Sequence, residues 1–96
     1  MVKVTYKGST IAESSSTRIV EGNHYFPPGD VKKEYFGPSD THTVCPWKGK
    51  ASYYSLKIGD EVVPDAAWYY PQAYEKAKDI EGYVAFYKNK VDIVEN

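Results

Sequence analysis

Pro38 to Ser55, PSDTHTVCPWKGKASYYS, holds the chain's only cysteine, one of its two histidines and one of its two tryptophans. Thr41 to Val44 is an extended run leading into Cys45-Pro46, and Lys50 to Ile58 is a second one closed by Gly59-Asp60. β-Branched and aromatic residues suit a half-buried pleated surface. Between the two runs, Cys45-Pro46-Trp47-Lys48-Gly49 reads as a tight turn. Proline fixes the entry, glycine permits positive φ, and the lysine between them is expected to project outward. The stretch is therefore a hairpin, with a thiol, an indole and an ammonium at its tip.

The flanking sequence extends the same β pattern. Val2 to Tyr6 alternates apolar and polar residues, and Lys7-Gly8-Ser9 can turn it into Thr10 to Glu13 as a first hairpin. Ser14-Ser15-Ser16 and Gly22-Asn23 punctuate short segments at Thr17–Glu21 and His24–Phe26, and Pro27-Pro28-Gly29-Asp30 ends the second. Asp30 is placed to cap one or two helical turns over Val31 to Tyr35, which Gly37-Pro38 would break. One longer helix is predicted, Pro71 to Ile80: proline fits its first turn, Ala73, Tyr74, Ala77 and Ile80 recur at helical spacing, and Gly82 can stop it. Tyr83–Tyr87 and Val91–Val94, joined at Lys88-Asn89-Lys90, read as a closing hairpin. The expected fold is mainly β: a curled antiparallel sheet, barrel or tent-like fold with one or two short helices.

Composition narrows the function. A chain of 96 residues has room for one domain, and 42% hydrophobic with 26% charged residues is an ordinary globular balance. A net charge of -1 gives no field for neutralising several phosphates, which argues against nucleic acid as partner. A lone cysteine forms no internal disulfide, no thioredoxin-type pair and no paired zinc knuckles, so a reducing, cytoplasmic setting is expected. The first residues lack the apolar run of a signal peptide, and no stretch is apolar enough for a membrane helix. Ten tyrosines, three phenylalanines and two tryptophans favour β structure and an aromatic-lined cleft.

Three chemistries compete for the tip and its surroundings. Cys45 could act as a nucleophile if Lys48 or Lys50 lowered its pKa and a histidine moved protons. In a regular strand His42 and Cys45 face opposite ways, so His24 would have to be the base. A metal site from His24, Asp40, His42 and Cys45 lacks the repeated spacing of a metal motif, and neither metal nor cofactor is expected. The third chemistry is binding: backbone N–H groups at Gly49, together with Lys48, could grip a carboxylate or phosphate. Ala67-Trp68-Tyr69-Tyr70-Pro71 and Asn23-His24-Tyr25-Phe26-Pro27-Pro28 supply either the walls of a pocket or the filling of a small core.

His24-Tyr25-Phe26-Pro27 with Asp30-Val31, then Cys45-Pro46-Trp47-Lys48-Gly49-x-Ala51-x-Tyr53, Ala67-Trp68-x-Tyr70-Pro71 and Val84-Ala85-Phe86-Tyr87 ahead of Val91, resemble in order the pattern of domain-of-unknown-function family number 427. That resemblance implies a compact, mostly β domain and no established activity. The nucleotidyltransferase label attached to the family is not supported by these residues, because polymerase-like transferases place metal-binding carboxylates in a spaced pair shortly after a Gly-Ser turn, and none closely follows Gly8-Ser9. The family pattern includes Cys45, Lys48, Gly49, Trp68 and Tyr70 but no histidine at position 42, which moves weight from catalysis to binding. The expectation is a small, anionic ligand held by Trp47, Lys48, Gly49, Tyr25, Trp68 and Tyr70. The rivals are an enzyme built on Cys45 with His24 or His42, and an interaction module whose exposed aromatic patch or edge strand would make a homodimer.

Overall fold

The computed structural model describes all 96 residues and contains nine strands: β1 (Val2–Tyr6), β2 (Ser9–Ser14), β3 (Arg18–Val20), β4 (Asn23–Tyr25), β5 (Phe36–Cys45), β6 (Gly49–Ile58), β7 (Glu61–Tyr69), β8 (Val84–Phe86) and β9 (Asp92–Glu95). They form antiparallel sheets ordered β2-β1-β9, β3-β4 and β5-β6-β7-β8. The β5–β6 hairpin has the register Val44↔Lys50 and Cys45↔Gly49. Its tip is the Cys-Pro-Trp-Lys-Gly turn, as the sequence predicts.

Local chemistry accounts for the irregularities. Lys7 and Gly8 both take positive φ, 47° and 86°, the geometry that joins β1 to β2 tightly. Val4 pairs with Ala12 and Thr5 with Thr10, so Ile11 is an extra residue. This bulge turns both Ile11 and Ala12 into the interior, where neither is exposed to solvent. A second irregularity bends the large sheet. β5 shifts register between Pro38 and His42, β7 shifts opposite Tyr54 and Leu56, and Asp65 sits there at φ 50°. The Asp65 carboxylate accepts hydrogen bonds from the Ser39 and Thr41 hydroxyls, and the Asp65 N–H donates to Ser55 Oγ. The two bulges are thus laced together.

The four-stranded sheet is covered on both faces at β8 and the end of β7, whereas the edge strand β5 has no buried residue. One core, with Val2, Val4 and Ile11, joins the β2-β1-β9 sheet to Leu56, Ala67, Val84 and Phe86. The other gathers Tyr25, Ala51, Tyr53, Trp68, Tyr70 and Ala85 with Ala73, Ala77 and Ile80. Phe26 and Val84 exchange both backbone hydrogen bonds, at 2.7 and 2.9 Å, so the chain after β4 extends the sheet beyond β8. Tyr25 and Phe26 then point into opposite cores, as adjacent strand residues must.

Four sequence expectations are corrected. Pro71–Ile80 is not a regular helix: only Glu75–Ile80 is helical, in 3-10 form, interrupted at Ala77 with φ −121°. The pair that would make its first i→i−4 bond is committed elsewhere, the Tyr74 N–H to the Lys48 carbonyl and the Tyr70 carbonyl to the Gly82 N–H. Ala77 and Ile80 are nevertheless buried, because the apolar stripe packs without the full helix. The closing hairpin does not form, since β8 pairs with β7 while β9 crosses to β1 and buries Val91 on the way. Gly37-Pro38 lies inside β5 rather than breaking the chain; β5 is an edge strand, where a missing N–H can face away from the ladder. The helical turns before it are shorter than expected, Pro28–Asp30 and Lys33–Tyr35, and Asp30 accepts a hydrogen bond from Ser14 Oγ instead of capping.

Gly49 ties the hairpin tip to the segment after β7. It has φ 125°, bridges Ala73, and a Cβ built on it would lie 3.0 Å from the Gln72 carbonyl oxygen. Gly49→Ala is expected to cost about 1–3 kcal/mol, the range of a strained backbone position, read as a lower urea midpoint. An unchanged midpoint would mean that this close approach does not constrain the turn.

Candidate functional site

A hollow of about 600 Å³ opens on the side of the second core. Its base is built by sheet register. Tyr53 of β6 stands opposite Trp68 of β7, which stands opposite Ala85 of β8, so these side chains share one face. Alanine at position 85 leaves room, and Tyr87 fills part of it with its ring 4.6 Å from Trp68 and parallel to Tyr53 at 6.4 Å. The Trp68 indole is fixed from behind: its Nε1–H donates to the Tyr25 hydroxyl at 3.1 Å, and the Tyr25 ring meets it edge-on. Tyr53 is fixed by hydrogen bonds joining its hydroxyl to Thr43 Oγ1 at 2.9 Å and the Tyr87 hydroxyl at 3.3 Å. Tyr70 forms a side wall.

Polar groups form the rim. The β3–β4 turn contributes Glu21, Gly22 and Asn23, and the segment after β8 contributes Lys88 and Asn89. Glu21 and Gly22 both have positive φ, 54° and 79°, so the turn is tight and places the Glu21 carboxylate toward Lys48.

Lys48 departs most from its sequence reading. The turn sequence predicts that it projects into solvent, yet only 6% of it is exposed. Its ammonium pairs with Glu21 and lies 5.7 Å from the Tyr70 ring centroid and 5.3 Å from that of Trp47. The inward turn follows from the backbone, since the Lys48 carbonyl accepts the Tyr74 N–H at 2.9 Å and the next residue is the closely packed Gly49. Burial opposes the charge on Lys48, but the Glu21 hydrogen bond and the surrounding phenols and carboxylate overcome it and raise its pKa to about 12. Lys48 also lowers the Glu21 pKa through that hydrogen bond and its charge.

The structure brings Lys48, Trp68 and Tyr70 to one hollow, with Tyr25 directly behind Trp68. Gly49 is buried against residues 72–74 and is absent from the lining, and the Trp47 ring, 38% exposed, lies near the Lys48 ammonium. Cys45 is half-buried against the second core and is absent from the lining. Neither histidine is joined to it. His42 is exposed and directed to Ser52 Oγ at 3.3 Å, whereas both ring nitrogens of His24 are engaged, by Thr17 Oγ1 at 2.8 Å and Glu95 Oε1 at 3.2 Å. The one Asp-x-Glu of the chain, Asp79-Ile80-Glu81, is likewise divided, Asp79 facing Arg18 and Glu81 bonding Lys78 and the Ala73 N–H.

Sequence reasoning missed Glu21, Asn23, Tyr53, Tyr87, Lys88 and Asn89. Tyr53 and Tyr87 had a signal, because each sits in a block that carries the family resemblance. Glu21 had a weaker one, as the acidic member of a Glu-Gly turn facing a β hairpin. Lys88 and Asn89 read only as a turn.

Ionisation at this site gives a test on the alkaline side. Burial is the leading cause that pushes Tyr70 and Tyr87 from the ordinary 10.0 up to about 12, and Tyr54, stacked on Tyr69, rises similarly. A raised folded-state pKa contributes stability that is complete below the unfolded value and is lost as pH climbs through the folded one. Lys48 follows the same sign. Stability should therefore fall between about pH 10 and 12, and phenolate absorbance should show a late set of tyrosines ionising together with unfolding. Tyr70→Phe and Tyr87→Phe should each remove one member of that set; ionisation of all ten in a single transition near the ordinary value would contradict the burial described here.

No curated protein matches the chain significantly. The sequence profile of a known family matches residues 1–96, the entire chain, in agreement with the blocks around Tyr25, Lys48, Trp68 and Tyr87. The chain belongs to the family described as Domain of unknown function (DUF427).

Proposed function

We propose that this protein binds a small anionic molecule, with the acid group at Lys48 and an apolar or flat portion against Trp68, Tyr70, Tyr53 and Tyr87. The observation that carries this reading is the asymmetry at Lys48. A cation with 8% side-chain exposure faces an aromatic hollow, while the carboxylate that neutralises it is 53% exposed. Ligand sites commonly combine apolar walls with a few convergent polar groups, and a cation near aromatic faces is stabilised by their quadrupoles. Tyr70 and Tyr87 remain protonated at neutral pH and so can donate hydrogen bonds to a bound oxygen. A single, half-buried cysteine fits a reducing, cytoplasmic setting for this activity.

Lys48→Met tests the reading, because it keeps the stem volume and removes the charge. Aromatic carboxylates and phosphate esters should raise the melting temperature of the wild type and bind the variant at least tenfold more weakly, since a hydrogen bond to a charged group contributes about 1.5–3 kcal/mol. Equal stabilisation of both proteins, or no stabilisation of the wild type by any member of the panel, would remove the proposal.

A further inference from the structure

Two lysines of the hollow hold the same turn. Lys48 pairs with the Glu21 carboxylate, and Lys88 Nζ donates to the Gly22 carbonyl oxygen at 3.3 Å. Glu21 is the only carboxylate among the lining residues. It occupies the left-handed region at φ 54°, a conformation that costs a residue with a Cβ more than it costs glycine. The two partners have unequal claims on the pair. Lys48 is largely withdrawn from water and needs a counter-charge, whereas Glu21 is mostly solvated and loses little when released.

The geometry points to Glu21 as an internal stand-in for the acid group of the ligand, and to an aromatic phosphomonoester as the class of ligand that displaces it. This rests on reading the hollow as a binding cleft. A monocarboxylate offers Lys48 only the group that Glu21 already supplies, and Glu21 competes at the high effective concentration of an intramolecular partner. A phosphomonoester brings a charge of about −1.5 to −2 at neutral pH and three acceptor oxygens. It can meet the Lys48 ammonium and, once the turn yields, the Lys88 ammonium as well. Asn23 and Asn89 supply amide donors on the same rim. The ring of the ligand then lies against Trp68 and Tyr87, where the sheet has only Ala85 between them and the backbone.

Calorimetric titration of the full chain with phenyl phosphate, benzoate and inorganic phosphate tests both halves. For the wild type, phenyl phosphate is expected to bind more tightly than either of the others. Glu21→Gln, which keeps the side-chain shape and removes the competing charge, should bind phenyl phosphate roughly tenfold more tightly than the wild type and narrow its advantage over benzoate. Lys88→Gln changes an exposed side chain and tests the second contact without touching the buried pair. It should weaken phenyl phosphate roughly tenfold while leaving benzoate unchanged. Circular dichroism of each variant checks that it is folded. Unchanged or weaker phenyl phosphate binding by folded Glu21→Gln overturns the stand-in, and Lys88→Gln then still reports on the ligand class. Benzoate binding the wild type as well as phenyl phosphate does overturns the phosphomonoester, and inorganic phosphate doing so overturns its aromatic part. In each of these cases Lys48-dependent binding leaves the cleft itself standing. If no probe binds the wild type or Glu21→Gln, the cleft and the inference fall together.

Discussion

Burial of β8, the adjoining end of β7 and Tyr25-Phe26 on both faces is the constraint from which the rest of the molecule follows. A sheet with one wet face alternates apolar and polar residues, but one packed on both sides needs apolar residues in succession. Ala66-Ala67-Trp68, Val84-Ala85-Phe86 and Tyr25-Phe26 are such runs, and all eight residues are buried. Beyond the bulge, where Ala66 and Ala67 share the first core, consecutive members divide between the two cores: Ala67 and Phe86 face the β2-β1-β9 sheet, while Trp68 and Ala85 face the other way. A one-residue slip in β7 or β8 would send the large ring, Trp68 or Phe86, into the space of the alanine beside it. Side-chain size therefore fixes the register.

The same alternation creates the hollow. On the second face the sheet presents Tyr53, Trp68 and Ala85 in a row, and the elements that cover it are short: the β3–β4 pair and the 3-10 segment Glu75–Ile80. Small covering elements seal the end near Ala73, Ala77 and Ile80 and leave the end near Tyr87 open. Gly49 matters because it lets the backbone of residues 72–74 close over the hairpin tip, and that closure turns Lys48 inward. An ammonium brought this way among Tyr25 and Tyr70 loses hydration, and Glu21 restores its charge balance from the far side of the opening.

How much of this is legible in the sequence depends on whether a property is local. The β1–β2 and β5–β6 hairpins were readable because Lys7-Gly8 and the Pro-Trp-Lys-Gly turn carry their own conformational instructions. Trp68, Tyr70 and Lys48 were readable as a set from their place in the family blocks. The direction of Lys48 was not, because it depends on a hydrogen bond from Tyr74, a residue remote in sequence. The Pro71–Ile80 helix fails to form for a related reason. Its apolar spacing is helical, yet the Lys48 carbonyl takes the Tyr74 N–H and the Gly82 N–H takes the Tyr70 carbonyl, the two groups that would start it, and short helices hold together mainly through tertiary packing. The partner of β9 was hidden because Lys88-Asn89-Lys90 resembles a hairpin turn, while the deciding factor is a place for Val91 in the first core.

A purely structural role for the Lys48–Glu21 pair explains less of the geometry than a ligand role does. An ion pair that serves stability is expected either at the surface, where it contributes little, or buried with all its hydrogen-bonding capacity met by protein. Here the cation is withdrawn and the anion is not, and the ammonium's only carboxylate partner comes from a two-residue turn at positive φ. An apolar side chain at position 48 would fill the same space between Tyr70 and Trp47 without the cost of desolvating a charge. The lysine makes physical sense if the charge is there to be met by something that enters the hollow. On that view the aromatic walls, the exposed counter-charge and the lysine are parts of one arrangement, and Cys45, although it sits in the same hairpin, is packing behind it.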